Sequence, residues 1–358
     1  MPSLKEIKGR INSISSTLAI TSAMKMVAAA KLQKAQMAIQ NMLPYERRLH
    51  SMLIDLMGAM NISAAASEDG SVRGSGSAER GFDQSGDRLS LSNRHDLAGM
   101  DGAYSLMAQR EVRKVAIVAF ASNSSLCGAF NSNVIREATA VINEYRASGL
   151  GDADITVYSV GRKMAEAMKK LGFPSPADFT KMSDSPSYDA ASALAQELFD
   201  GFVSGRFDKV ELVYNHYKST SSQPTIRQTY LPLSLADATA DLQAGKIADS
   251  ASESDTNRGA EPVGAPVVRQ GSPTTEDLIV EPSKEELIAT LLPKVVRLRV
   301  FTTLLDSTAA EQAARTVAMQ LATDNGNDLL QELTLEYNKG RQQKITSEIL
   351  DLVGGSMQ

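Results

Sequence analysis

The chain holds a single cysteine, Cys127, so no disulfide can form within it and a reducing compartment is its natural setting. Aromatic residues make up only 5% of the 358 positions, too few large rings to fill the cores of two ordinary domains. No stretch of eighteen apolar residues occurs, and the opening MPSLKEIKGR sets charges where a signal peptide needs an apolar core. A cytoplasmic protein is the expectation.

Catalytic and metal-binding patterns are also missing. The three histidines, His50, His95 and His216, stand far apart, and none has ligand spacing to another His or to Cys, which removes zinc and His-based triads. No phosphate loop of the G-x-x-x-x-G-K-[ST] type is present, and Gly70–Gly76 lacks the strand and helix that a dinucleotide fingerprint requires. In Thr323–Asp328 the glycine falls too early for a calcium loop and the twelfth-position glutamate is absent. Cys127 follows a strand pattern with no base nearby, which fits a small buried residue better than a reactive thiol. A net charge of −5 argues against a nucleic-acid binder, although residues 1–50 carry eight Lys or Arg against Glu6 and Glu46.

What the chain does have is periodicity at its ends. Steps of three and four residues from Leu4 meet Ile7, Ile11, Ile14, Leu18, Thr21, Lys25, Ala28, Leu32, Ala35, Ile39 and Met42. Past a lapse at Glu46 they continue through Leu49, Leu53, Leu56 and Met60. A single seam therefore follows one helix over residues 1–60, a rod of roughly 90 Å. Ser3 with Glu6 marks its start in capping-box spacing, and Pro44 is expected to bend or interrupt it. Residues 281–358 read as a second long helix, opened by Ser283 with Glu286, kinked at Pro293 and rich in alanine from Ala309 to Ala322. Each seam needs a mate, and because the middle of the chain joins the two helices at one end, the pair runs antiparallel.

Residues 64–110 and 236–280 are rich in Gly, Ser, Asp and Ala, lack periodicity, and read as a low-complexity and a disordered insertion. Between them, residues 111–235 alternate strand and helix patterns. Strands are expected at 112–121, 155–160, 210–214 and 225–231, and helices at 133–147, 163–171 and 188–203. That alternation predicts a Rossmann-like α/β domain with a mainly parallel sheet covered on both faces. The fold class is thus α/β, an antiparallel coiled coil of terminal helices with a central α/β domain.

Three blocks of sequence resemble the γ subunit of the F-type ATP synthase, in its bacterial form. They are LKEIKGRI with ITSAMKMVAAAKLQKAQ near the start, SLCGAFNSN after the first sheet strand, and EQAARTVAMQLATDN, LTLEYNKGRQQKIT and EILDLVGG at the end. A weaker match covers YNHYKS and QPTIRQTYLPL. The likeness spans all but the two insertions. It implies a non-catalytic rotor shaft, without cofactor, metal or small-molecule substrate of its own. The shaft stands inside a ring of α and β subunits and is gripped below by the ε subunit and the c-subunit ring. It turns as protons drive that ring, at the cytoplasmic face of the bacterial inner membrane, held there as a peripheral part of the complex.

The resemblance also carries roles to single positions. Met24 matches a methionine facing an acidic loop of β, and Arg341 with Gln342 matches a pair that reaches β near the catalytic interface. Ile345, Ile349, Leu352 and Val353 match a tip held in an apolar sleeve, and Lys5, Lys8 and Arg10 are candidate contacts to acidic loops of β. The chain departs from the family pattern at Ser122–Gly128, where SNSSLCG replaces S-D-R-G-L-C-G, and at Gly340, where alanine is usual. It also lacks the cysteine pair that the chloroplast form carries in the second insertion. Two other readings remain open from the residues alone. One is an α/β enzyme with its site near Ser122–Asn131 and a coiled-coil oligomerisation arm; the other is an adaptor laying its basic first helix on nucleic acid or anionic lipid.

Overall fold

In the computed structural model, residues 3–68, 106, 110–233 and 283–355 are described. Most of the two expected insertions lies outside these residues. The chain begins with α1 (Leu4–Glu68) and ends with α6 (Lys284–Gly355), helices of 65 and 72 residues. Each opens on the serine read from the sequence. The hydroxyl oxygen of Ser3 accepts from the Glu6 amide at 3.3 Å, and that of Ser283 accepts from the Glu286 amide at 3.1 Å. Both helices pass through their prolines without interruption. At Pro44 the carbonyl left without a donor belongs to Gln40, which is exposed and open to water.

Between the helices lie β1 (Val115–Phe120), α2 (Phe130–Ala147), β2 (Ile155–Val160), α3 (Arg162–Lys170) and α4 (Thr180–Asp184). There follow α5 (Tyr188–Val203), β3 (Lys209–Asn215) and β4 (Thr225–Leu231). The sheet order is β2-β1-β3-β4, with β1 parallel to both neighbours and β4 antiparallel to β3. Central β1, VAIVAF, is buried at every position, which is why it reads as an unbroken apolar run. Its alternate residues serve two cores. Val115, Ile117 and Ala119 pack with Val134, Ala138 and Ile142 of α2 and with Met164 and Met168 of α3.

The opposite face holds the structural surprise. Ala116, Val118 and Phe120 share one core not only with Leu194, Leu198 and Phe202 of α5 but with Leu49, Leu53 and Leu56 of α1 and with Leu292, Val296 and Leu304 of α6. The roots of both long helices are therefore a layer of the α/β domain, and the rod is built into its base rather than joined by a linker. The Tyr230 hydroxyl, fully buried, donates to the Val296 carbonyl at 2.8 Å across that same layer.

Candidate subunit interface

Along the rod, pairs that touch across the seam fix the register. Leu4 faces Gly340 and Leu18 faces Gly326. The Thr323 hydroxyl donates to that of Thr21 at 3.2 Å, Lys25 donates to Gln320, and the Thr302 hydroxyl donates to the Glu46 carboxylate at 3.1 Å. As the number on α1 rises, that on α6 falls almost residue for residue, so the antiparallel pairing holds one register along this length. All expected seam positions up to Leu56 are buried or half-buried. The lapse at Glu46 is explained by its hydrogen bond, since a buried polar group in a seam must find a partner.

The alanines of α6 divide between two tasks. Ala309 and Ala313 pack against Leu32 and Ala35 of α1. Ala310 packs instead against Cys127 and Phe130, at the mouth of the sheet. Small side chains let the helix lie close to α1 and to the domain at once. Cys127 is buried there.

The strand ends, where an open α/β sheet would offer a ligand crevice, are covered by α6. The Arg315 guanidinium donates to the Ser124 hydroxyl at 2.8 Å and to the Glu311 carboxylate at 2.7 Å, and that pair is buried. Burial pushes the Glu311 carboxyl up and Arg315 opposes the shift. Inside the loop, the Asn131 carboxamide oxygen accepts from the Ser122 amide at 3.0 Å, and the Asn123 carboxamide oxygen accepts from the Arg162 amide at 2.8 Å. Where the resembled family carries an Asp–Arg pair, Asn123 and Ser124 thus tie the loop to α3 and α6. Thr323–Asp328, weighed as a calcium loop, is helical. Among the described residues no group of three His, Cys, Asp or Glu stands ready to hold a metal, and no helix is long and apolar enough to cross a membrane.

The sequence-expected contact residues occupy the outer rod. Lys5, Lys8 and Arg10 are exposed on α1, Arg10 paired with Glu6 at 2.9 Å, and Met24 is half-buried at the seam's edge. Because Leu4 lies opposite Gly340, α6 runs on from Arg341 past the described start of α1. Arg341 and Gln342 are exposed there, and so are Ile345, Ile349, Leu350, Leu352 and Val353, each about half or more. A cluster of exposed apolar side chains on a helix end that faces no second helix among the described residues marks an interaction surface. Further up, Ile20, Met26, Val27 and Met37 of α1 and Val317, Leu321 and Leu335 of α6 also face outward. Sequence reading left these unassigned because one seam uses only one face of each helix; a second apolar stripe was the available signal.

Fold and surface define an asymmetric shaft, a two-helix rod set into an α/β base, with one helix overhanging the other and apolar side chains turned outward. The sequence profile of the family described as ATP synthase matches residues 3–357. The chain is 46% identical over 357 residues to the ATP synthase gamma chain of Phocaeicola vulgatus and 45% identical over 358 residues to that of Bacteroides thetaiotaomicron, covering 100% of both chains in each pair. The Flavobacterium psychrophilum ATP synthase gamma chain is 35% identical over 356 residues, covering 99% of this chain and 98% of its own. Among solved structures, a chain of the Euglena gracilis mitochondrial ATP synthase (OSCP/F1/c-ring) superposes with a TM-score of 0.52 at 19% identity, over 99% of this chain and 93% of that one, which speaks to the fold. The chain belongs to the ATP synthase gamma-chain family and has the central-stalk role of that family.

Proposed function

We propose that this central-stalk chain couples rotation of a c-subunit ring to ATP synthesis and hydrolysis at the catalytic β subunits, and that it performs no chemistry itself. The observation that carries the reading is the pairing of Leu4 with Gly340, which carries the last turns of α6, with exposed apolar side chains, past the described start of α1 while the rod's other end is fused to the α/β core. Identical neighbours around an asymmetric rod meet different faces at each angle. Coupling then arises because each orientation stabilises a different conformation of the neighbour it touches.

In this reading residues 1–60 and 281–358 form the rod inside the ring of α and β subunits. Residues 111–235 form the base that meets the ε subunit and the c-ring, and 64–110 and 236–280 are insertions outside that plan. Met24, Lys5, Lys8 and Arg10 face acidic loops of β, Arg341 and Gln342 reach β near its catalytic interface, and Ile345, Ile349, Leu352 and Val353 sit in the apolar sleeve. Association with the cytoplasmic face of the inner membrane runs through the complex. The closure of the strand ends by Ala310 and Arg315 argues against the alternative of an α/β enzyme with an oligomerisation arm.

The test mixes the full chain with purified α and β subunits and follows ATP hydrolysis. An active soluble assembly is expected, weakened when the chain is cut before Arg341. Correctly folded chain that leaves the mixture inert would overturn the proposal, and saturable nucleotide binding by the full chain alone would favour the enzyme reading.

A further inference from the structure

The turn that leaves β3 reaches both helices of the rod. His216 Nδ1 lies 2.6 Å from one carboxylate oxygen of Asp306 on α6, and the Tyr217 amide donates to the other at 2.8 Å. The Tyr217 hydroxyl accepts from the Gln36 carboxamide of α1 at 2.6 Å. Its ring packs against the Leu32, Ala35, Ala309 and Ala313 layer of the seam and against Cys127 and Phe130 of the domain. The turn is itself fastened to the start of β4, because the His216 amide donates to the Pro224 carbonyl at 2.8 Å. Two consecutive residues of the base therefore hold α1, α6 and the sheet at one level.

We infer that His216 and Tyr217 form the joint that fixes the angle between the α/β base and the rod, with Asp306 as its anchor, and that a proton on His216 tightens it. The mechanical consequence rests on the rotor reading; the joint itself does not. Torque entering at the base must pass to both helices, and a turn bonded to each resists their sliding and splaying where the rod emerges. The two halves of the clasp differ in kind. The Tyr217 amide gives Asp306 a bond from a donor that does not titrate, whereas the imidazole adds the charge of an ion pair to its own bond only when doubly protonated.

The electrostatic surroundings shift the imidazole toward its protonated form. The hydrogen bond to Asp306 raises the imidazole above its ordinary value, partial burial opposes this, and Lys218 in the same turn opposes it further. From β4 the imidazole's own residue meets a carbonyl, and α1 offers the turn a neutral carboxamide. For a raised histidine the added stability is complete below the unfolded value of 6.5 and disappears as pH climbs through the higher folded value.

Two measurements test the joint. In the full chain, imidazole NMR of the three histidines is expected to show His216 titrating above 6.5 and moving down in Asp306→Asn; titration at or below the ordinary value overturns the inference. In the assembly with α and β subunits, torsional stiffness from single-molecule angular fluctuations is expected to fall between about pH 6 and about pH 8.5 for the wild type. His216→Lys, which keeps a permanent charge, is expected to flatten that profile, and Tyr217→Phe to lower stiffness by the same factor at both pH values. A wild-type stiffness independent of pH, or equal in wild type and Tyr217→Phe, overturns it. If no assembly forms, the rotor reading fails and the NMR titration alone decides the joint.

Discussion

A β-carbon placed on Gly326 would lie 2.6 Å from Leu18 Cδ2 and 3.1 Å from its Cγ across the seam, so the absence of a side chain on α6 is the hole that receives a leucine of α1. Glycine inside a helix costs about 1 kcal/mol relative to alanine. Here that cost secures close approach. Gly326→Ala must displace Leu18 at its branch point, and overpacking of this kind costs roughly 1–3 kcal/mol. A net loss of about 1 kcal/mol is expected by denaturant unfolding, recovered in part when Leu18→Ala is added. Gly340→Ala meets only the tip of Leu4, at 3.1 Å, in the first turn of α1. There the helix propensity is expected to prevail, leaving stability unchanged or raised by up to ~1 kcal/mol.

The overhang predicts a separation of folding from function. The described side chains beyond Gly340 are exposed, so replacing Ile345, Ile349, Leu352 and Val353 together by serine is expected to leave the unfolding midpoint of the isolated chain within the range of surface substitutions. ATP hydrolysis by the reconstituted assembly is expected to fall. A large loss of stability in the isolated chain would show that the tip folds back on the rod.

A second lock lies inside the domain. Glu211 is buried in the sheet, and its carboxylate accepts from Tyr145 at 2.6 Å, from Arg227 at 2.7 Å and from Lys209 at 2.7 Å. Burial pushes this carboxyl up, but the bonds from Arg227, Lys209 and Tyr145 outweigh it and hold the group below its ordinary value. A depressed carboxylate lends stability that is present above its unfolded value and lost as pH falls through the folded one, so acid is expected to weaken the domain below about pH 4.5. Glu211→Gln takes from Lys209 its counter-charge and leaves Arg227 only the exposed Glu144, and is expected to cost about 3 kcal/mol near neutrality and less in acid, measured by unfolding at both pH values.

Gly161 closes β2 onto α3 with φ +96°, and a β-carbon there would stand 2.1 Å from the Ala121 carbonyl oxygen. Neither the backbone angle nor the contact with main chain can relax. Gly161→Ala is expected to cost at least ~2 kcal/mol, read as a lower thermal midpoint, whereas the same change at exposed Gly149, also at positive φ but with open space around it, should cost less.

The parts of this fold that were legible are those where one residue's neighbours lie along its own strand or helix. Ile155–Val160, Thr225–Leu231 and Tyr188–Val203 match their expected bounds because glycine, proline or serine punctuates them. The five-residue α4 escaped notice, being too short to show a period. The antiparallel sense of β4 was readable in principle, since residues 216–224 are too few for a parallel crossover. Of the outward-facing residues, Arg341 and the tip were reached through resemblance. The His216–Asp306 contact was not, because residues 90 positions apart give no local signal.

By itself the sequence determined that both ends are long helices, the first with a traceable apolar seam, and that an α/β unit lies between them, because a helix or strand pattern is a property of consecutive residues. Only the tertiary structure decided how far α6 overhangs α1, that the helix roots complete the core of the sheet, and that Asp306 is held by the turn after β3. Each of those follows from where packed surfaces meet, and a register between distant segments is chosen by the fit of Leu18 to Gly326 and Leu4 to Gly340, which no single segment encodes.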